Sequence, residues 1–99
     1  MQLNKKQIKY LRGLGHAIKP VVTIGQHGMT ENVEAEITGA LKFHELIKIK
    51  LAGVENEDRK AVVESICTAN KATHVQTIGK VATIFKRNPN NIKIEIPKI

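Results

Sequence analysis

The hydrophobic and polar residues of this chain alternate with a helical period in some segments and a period of two in others, which predicts a mixed fold of helices and strands. Near the N-terminus, apolar residues recur at helical spacing, at Leu3, Ile8, Leu11, Leu14 and Ile18. The opposite side of this helix carries Lys5, Lys9, Arg12 and His16. We expect Pro20 to end this basic helix, because the residue before a proline is disfavoured in the helical conformation.

A short strand and a second helix are predicted next, joined by a glycine-containing loop. The β-branched run from Val21 to Ile24 predicts the strand, and Gly25-Gln26-His27-Gly28 predicts a tight turn. Thr30 is suited to cap the second helix, which is expected to end near Phe43. Its core stripe is expected to contain Val33, Ile37, Ala40 and Leu41.

The middle of the chain predicts a second strand and a third helix. Residues 46–51 alternate, so one face of this strand is expected to be buried and the other, with Lys48 and Lys50, to be wet and basic. Asn56 is expected to cap the third helix. The inner face of that helix is expected to contain Ala61, Val62, Ile66 and Ala69.

The last third of the chain predicts a hairpin and a tail. Two strand-like runs, at residues 74–78 and 81–85, are separated by Gly79 and Lys80, which is the signal for a type II′ turn. Residues 88–99 are expected to form an edge strand or a tail. The predicted order is therefore α-β-α-β-α-β-β, an α+β domain of two layers with a four-stranded mixed sheet. Strands joined through a helix are expected to be parallel, and the closing hairpin is expected to be antiparallel. At 99 residues, the chain is expected to be one domain.

Positive charge is concentrated at the two ends of the chain. The net charge is +7, and residues 1–20 hold five Lys or Arg and no acid. Residues 71–99 hold six Lys or Arg and one acid. If the fold brings these ends together, they form one basic patch, as is typical of proteins that bind nucleic acids. The alternative is a solvated surface that only aids solubility.

The sequence contains no signal for export or membrane insertion. Cys67 is the one cysteine, which rules out an internal disulfide and suits a reducing cytoplasm. We expect this cysteine to be a small core residue. No apolar run approaches the length of a membrane span, so a cytoplasmic location without a membrane partner is expected.

The glycine loop has the chemistry of an anion site. Two glycines let another chain approach the backbone closely, and the first amides of the following helix carry the positive end of its dipole. A phosphate fits this description, although many such turns bind nothing. Glu31, Glu34 and Glu36 follow the loop and repel a phosphate, so the cations must come from elsewhere in the chain.

The residue types favour binding over catalysis. The three aromatic residues are too few for a base-stacking platform, so a nucleic acid would be held through its backbone, as in the GxxG loop of KH domains. The four histidines lack the spacing of a metal site, and His44 and Glu45 point apart. We therefore expect no enzyme activity, cofactor, metal or small-molecule substrate. The remaining catalytic alternative is His27 as a general base in RNA cleavage.

Several short motifs together resemble the CRM domain family, named for chloroplast RNA splicing and ribosome maturation. They are Leu11-Arg12, His16, Lys19-Pro20, Ile24-Gly25, Gly28, Thr30, Ala40-Leu41, His44-Glu45-Leu46-Ile47-Lys48 and Ile78-Gly79-Lys80. The resemblance implies a fold similar to the C-terminal domain of translation initiation factor three. It also implies an RNA-binding surface around Gly25, Gln26, His27 and Gly28. Single-domain bacterial members of the YhbY type are linked to precursors of the large ribosomal subunit.

The sequence departs from the family pattern at two places that bear on binding. The family often has a lysine or arginine inside the loop, where this chain has Gln26 and His27, and it tends to have a tyrosine where this chain has Phe85. The expected RNA contacts therefore extend to basic residues outside the loop, namely Lys5, Lys9, Arg12, Lys48, Lys50, Lys86 and Arg87. The alternative is an adaptor that docks this basic surface on an acidic ribosomal protein or translation factor.

Overall fold

A computed structural model describes residues 2–98 and contains one four-stranded sheet with three α-helices. The elements are α1 (Lys5–Gly15), β1 (Pro20–Thr23), α2 (Glu31–His44), β2 (Leu46–Lys50), a 3₁₀ turn (Asn56–Asp58), α3 (Arg59–Asn70), β3 (Thr73–Ile78) and β4 (Val81–Phe85). The strand order is β1-β2-β4-β3, with β1 and β2 parallel and β4 antiparallel to both of its neighbours. The predicted α+β class, element order and mixed sheet are confirmed.

The two faces of the sheet are covered differently. The main core lies between the sheet and helices α2 and α3, and its buried residues include Ile37, Leu41, Ile47, Ile49, Val63, Ile66 and Ile84. The other face packs against α1 through a smaller cluster, Leu11, Leu46, Val75 and Phe85. The two-layer arrangement thus holds for α2 and α3, and α1 adds a partial third layer. The apolar stripes predicted for α1 and α2 are confirmed.

Helix α1 is shorter than its apolar stripe. It begins after Asn4, whose side chain accepts from the Gln7 amide at 2.8 Å in a capping box. It ends at Gly15, so the expectation that Pro20 ends it was wrong. The last turn tightens into bonds of the 3₁₀ type, from Ala17 to Leu14 and from Ile18 to Gly15. Gly13 and Gly15 weaken this turn, because each glycine costs a helix about 1 kcal/mol relative to alanine.

The caps of the other two helices differ from each other. Thr30 caps α2 as predicted, accepting from the Val33 amide at 3.2 Å. Asn56 does not cap α3, because it lies in the 3₁₀ turn before the helix and its side chain instead accepts from Arg59 Nη1. The buried residues of α3 are Val63 and Ile66, whereas Ala61 and Ala69 are exposed. Ala61 lies well away from Ile66 around the helix axis, so its predicted core position was wrong.

The last third of the chain forms the predicted hairpin, followed by a tail. Gly79 has a φ of +56°, and residues 79 and 80 form the two-residue turn between β3 and β4, as predicted. Residues 92–96 belong to no strand. They form a tail whose Ile94 and Ile96 pack against the α1 cluster.

Cys67 lies against the main core on α3, as expected for a small apolar residue. Burial raises the pKa of its thiol to about 11, so it is protonated at neutral pH. Within residues 2–98, no helix is both long enough and apolar enough to cross a membrane.

Candidate nucleic-acid interface

The glycine loop lies at the end of the parallel pair of strands, between β1 and α2. It is closed by a hydrogen bond from the Gly28 amide to the Gly25 carbonyl oxygen, at 3.1 Å. Gly28 has a φ of +69°, in the left-handed region that a side chain disfavours. Gly25, Gln26 and His27 are exposed. The loop is therefore a tight turn with its tip in solvent.

A second glycine-containing segment braces this loop from behind. The Gly53 amide donates to the Ile24 carbonyl oxygen at 2.8 Å. The Ile24 amide in turn donates to the Lys50 carbonyl oxygen, also at 2.8 Å. A Cβ on Gly53 would overlap the carbonyl of Gly25, so only glycine permits this approach. The site residues predicted from the sequence do not include Gly53. Its role depends on a contact between segments far apart along the chain.

The amides at the tip of the loop face no acceptor of the protein. Among residues 2–98, those of Gln26 and His27 donate no hydrogen bond. The carboxylates of Glu31, Glu34 and Glu36 form neither an ion pair nor a hydrogen bond with the loop in the same part of the chain. The loop is thus not closed off by its neighbouring acids, and residues 25–27 are exposed.

The face of the sheet that packs against α1 is only partly covered. Cross-strand pairing sets its side chains in rows, and the row formed by Leu46 and Phe85 lies beneath α1. The next row holds Lys48, Thr83 and Gln76, near the last turn of α1. Helix α1 does not cover the sheet beyond this row, and a groove of about 260 Å³ opens there, with the cations Arg12 and Lys48 and the imidazole of His16 along its edge.

The other cations predicted near the loop lie on α1 and β2. Lys5 and Lys9 are exposed and share the face of α1 that leads to Arg12. Lys50 is exposed, pairs with Thr23 in the sheet, and is joined through its carbonyl to the strand that enters the loop. These residues form a cationic stripe, defined here as Lys5, Lys9, Arg12, Lys48 and Lys50. It starts next to Leu3, at the end of the sheet where Lys86 lies, and runs along α1 and across the sheet toward the loop.

Lys86 and Arg87 lie at the other end of the sheet. In β4, Val81 pairs with Lys50, at the end of β2 nearest the loop, and Phe85 pairs with Leu46, at the other end of β2. Val81 and Phe85 are about 13 Å apart along the extended strand. Lys86 and Arg87 follow Phe85, beside Lys71 and Leu3. The structure therefore does not bring these two predicted contacts to the loop.

Arg87 is held by a buried carboxylate that the sequence analysis did not single out for this role. Glu45 has no exposed surface, and both of its carboxylate oxygens lie 3.1 Å from Arg87 Nη1. The same carboxylate accepts from the backbone amides of Asn88, Lys93 and Ile94 at 2.6 to 2.9 Å. Within residues 2–98, this is the one ion pair of the structure.

The environment of Glu45 keeps it charged. Burial by itself raises the pKa of the Glu45 carboxyl, but hydrogen bonds from Asn88, Ile94 and Lys93 and the charge of Arg87 outweigh burial, so the pKa lies below its ordinary value. Glu45 also has a φ of +65°, which is unusual outside glycine. In the sequence, the one indication that Glu45 matters was its position in the motif from His44 to Lys48, which is part of the family resemblance.

The chain ends do come together, but away from the loop. The Gln7 side chain donates from Nε2 to the Pro97 carbonyl oxygen at 3.0 Å, and Ile8, Ile94 and Ile96 pack against the same buried cluster. The two ends of the chain therefore meet, which was the condition for their forming one basic patch. This meeting does not bring Lys86 and Arg87 to the cationic surface beside the glycine loop.

The histidines remain apart in the fold. In the part of the chain that the structure describes, no group of three His, Cys, Asp or Glu residues is placed to hold a metal ion. His27 is exposed in the loop, and His74 contacts Thr77 at 2.7 Å on the α3 side of the sheet.

Fold and site together define a class of protein, a small α+β domain that presents a braced glycine loop beside a cationic sheet face. Residues 3–86 match the model of the CRS1/YhbY (CRM) domain. The chain belongs to this family, as the sequence motifs indicated.

Known relatives match the chain over nearly its whole length. It is 43% identical over 89 residues to a probable RNA-binding protein of Pseudomonas aeruginosa, covering 90% of this chain and 86% of that protein. It is 43% identical over 96 residues to an RNA-binding protein of Haemophilus influenzae, covering 97% and 96%. The solution structure of a hypothetical Staphylococcus aureus protein, proposed to bind RNA, matches with a TM-score of 0.83 and 35% identity, covering 97% of this chain and all of that one.

Proposed function

We propose that this protein binds ribosomal RNA in precursors of the large ribosomal subunit, in the cytoplasm, and assists their assembly. The observation that carries the proposal is the coincidence, at one end of the sheet, of a loop with unoccupied amides and a cationic groove. Membership of the CRS1/YhbY family and the names of the relatives support RNA as the partner. The link to the large subunit comes from the family resemblance.

In this proposal, the RNA backbone lies against Gly25, Gln26, His27 and Gly28 and against the cationic stripe. The loop supplies amide donors, and the stripe supplies the charge that the loop lacks. Lys86 and Arg87 are left out of the interface, because they lie at the other end of the sheet and Arg87 is bound to Glu45. The protein acts here by binding and not by catalysis, and it needs no cofactor.

The salt dependence of RNA binding tests this mode of action. About five phosphate contacts give a slope of log K against log salt of roughly −3.5 to −4.5. The measurement is a titration of labelled large-subunit ribosomal RNA fragments at several salt concentrations, with small-subunit fragments as the comparison. A slope near zero contradicts the phosphate contacts, and equal affinity for both sets contradicts the assignment to the large subunit.

Ribonuclease treatment separates RNA binding from the adaptor alternative. The protein is expected to sediment with particles of the large subunit in a cell extract and to leave them when the extract is treated with ribonuclease. Retention on a ribosomal protein after digestion of the RNA would support the adaptor and contradict our proposal.

A further inference from the structure

The groove between α1 and the sheet contains polar side chains as well as cations. Arg12 and Lys48 lie on its rim, and Gln76 and Thr83 are neighbours on paired strands within it. Among residues 2–98, no acidic residue lines the groove. Neither the Gln76 amide nor the Thr83 hydroxyl has a hydrogen-bond partner among residues 2–98. Thr83 is nonetheless only 6% exposed. Its hydroxyl is thus a recessed polar group that is free to contact a ligand.

A bulge in β3 aims these groups into the groove. The register with β4 shifts between His74 and Gln76, so that Gln76 pairs with Thr83 and Val75 is the extra residue. Val75 packs on the α1 side, and Gln76, the next residue, lines the groove on that same side. Regular alternation would have turned Gln76 to the opposite face.

The bulge also positions Arg12. The carbonyl oxygen of the bulged residue Val75 accepts from Arg12 Nε at 3.3 Å. This bond holds the stem of the guanidinium against β3 and leaves its outer nitrogens at the rim of the groove. The bulge at Val75 therefore positions both the Gln76 side-chain amide and the Arg12 guanidinium in the groove.

We propose that this groove holds one unstacked nucleobase of the bound RNA, with Gln76 and Thr83 contacting its polar edge and Arg12 and Lys48 contacting the flanking phosphates. This inference rests on the proposed RNA binding and adds to it a source of base preference. A backbone-only site would need cations alone, whereas Gln76 offers both a donor and an acceptor, as a base edge does.

The shape of the groove favours a single unpaired base. Its volume of about 260 Å³ lies just below the range of about 300 to 1,000 Å³ typical of pockets for drug-sized ligands. Pro20, Ile78 and Val81 add apolar surface to it, and Ile78 is 60% exposed. Bases within an RNA duplex are stacked and paired, so the groove selects single-stranded loops, bulges or ends.

Short homopolymeric RNAs test the base preference. We expect the wild-type protein to bind oligo(A), oligo(C) and oligo(U) with affinities that differ by about fivefold or more between the tightest and the weakest. Gln76→Ala and Thr83→Val should each bring this ratio toward one without changing the salt slope. Thr77→Val is the matched control, because Thr77 lies next to Gln76 on the opposite face, and its ratio should equal that of wild type.

A second readout does not depend on the variants folding. In the wild-type protein, the side-chain amide resonances of Gln76 should shift when a single-stranded homopolymer binds and should not shift when an RNA duplex binds. The inference is overturned by equal affinities for the three homopolymers, by a ratio that survives both substitutions, or by unshifted Gln76 resonances in a saturated complex. A steep salt slope with equal affinities leaves the proposed function standing, whereas failure to bind any RNA overturns both.

Discussion

The two ends of the sheet both carry basic residues, but within residues 2–98 only Arg87, at the far end, is paired with an acid. At the far end, Arg87 is 18% exposed and is bound to the fully buried carboxylate of Glu45. Toward the loop end, Lys48 and Arg12 border a groove that no acidic residue of the described part of the chain lines. The comparison teaches that net charge and sequence position do not identify a binding cation. What matters is whether the fold already supplies its counter-charge.

The far end is built to fix the tail to the body of the protein. Glu45 follows α2 directly, and its carboxylate bonds with Arg87, Asn88, Lys93 and Ile94 join α2 to a segment without regular structure. The tail then places Ile94 and Ile96 over the α1 cluster. Within residues 2–98, the loop end contains no ion pair, as expected of a surface that receives its partners from outside.

The largest expected effect is loss of stability when Glu45 is changed. Glu45→Gln removes the counter-charge of Arg87 and replaces an acceptor oxygen with a donor that faces backbone amides. We expect the free energy of unfolding to fall by about 3 to 5 kcal/mol, as when a buried ion pair loses one partner. Urea denaturation measures the change. Glu36→Gln, at an exposed site on α2, is the control and should change stability by less than about 0.5 kcal/mol. Equal effects of the two would contradict the structural role of Glu45.

The same carboxylate predicts a dependence of stability on acid. The folded-state pKa of Glu45 lies below the ordinary value of 4.5, so its contribution to stability is complete above that pH and is lost as the pH falls through the folded-state pKa. Wild-type stability should therefore decline in this acidic range more steeply than that of Glu45→Gln. Parallel pH profiles for the two proteins would show that Glu45 is not responsible.

A methyl group at Gly53 is expected to disturb the loop and the core edge together. In Gly53→Ala, the new Cβ meets the backbone of Gly25, which cannot yield as a side chain would. The expected cost is about 1 to 3 kcal/mol in stability, together with weaker RNA binding. Gly39→Ala is the matched control, because Gly39 is exposed on α2 with open space around it and should gain up to about 1 kcal/mol. Unchanged RNA affinity in Gly53→Ala would show that the contact between Gly53 and the loop is not needed for RNA binding.

Negative charge in the loop should weaken binding and leave the fold intact. Changing both Gln26 and His27 to Asp is expected to lower RNA affinity about tenfold or more through repulsion of phosphates. Stability should stay within about 0.5 kcal/mol, because both sites are exposed. The matched control changes the exposed Asn90 and Asn91 to Asp, which alters net charge equally at the far end. If the two double variants weaken binding to the same extent, the loop has no special part in it.

Local patterns predicted the elements because their causes are local. The apolar stripe around Leu11, the alternation around Lys48 and the Gly79 turn each depend on neighbours within a few residues. The end of α1 was harder to predict, because it is set by two glycines and not by Pro20. The glycine loop was found for the same local reason.

The parts that the sequence did not reveal depend on contacts between distant segments. Gly53 matters because its segment lies against Gly25, and Glu45 matters because the chain returns to it after β4. The bulge at Val75 shifts the register by one residue, which no alternation pattern records. Lys86 and Arg87 were grouped with the loop on charge alone, and strand direction places them elsewhere.

A comparison of Lys48→Ala with Lys86→Ala tests most directly whether the loop end is the RNA surface. The two lysines are partly buried and carry the same charge, but Lys48 lies beside the groove in the middle of β2, whereas Lys86 follows β4 at the far end of the sheet. Salt titrations of RNA binding should show the slope of Lys48→Ala reduced in magnitude by about 0.7 to 0.9, the value of one phosphate contact, and that of Lys86→Ala unchanged. A reduced slope in Lys86→Ala with an unchanged slope in Lys48→Ala would contradict the account and place the RNA at the far end.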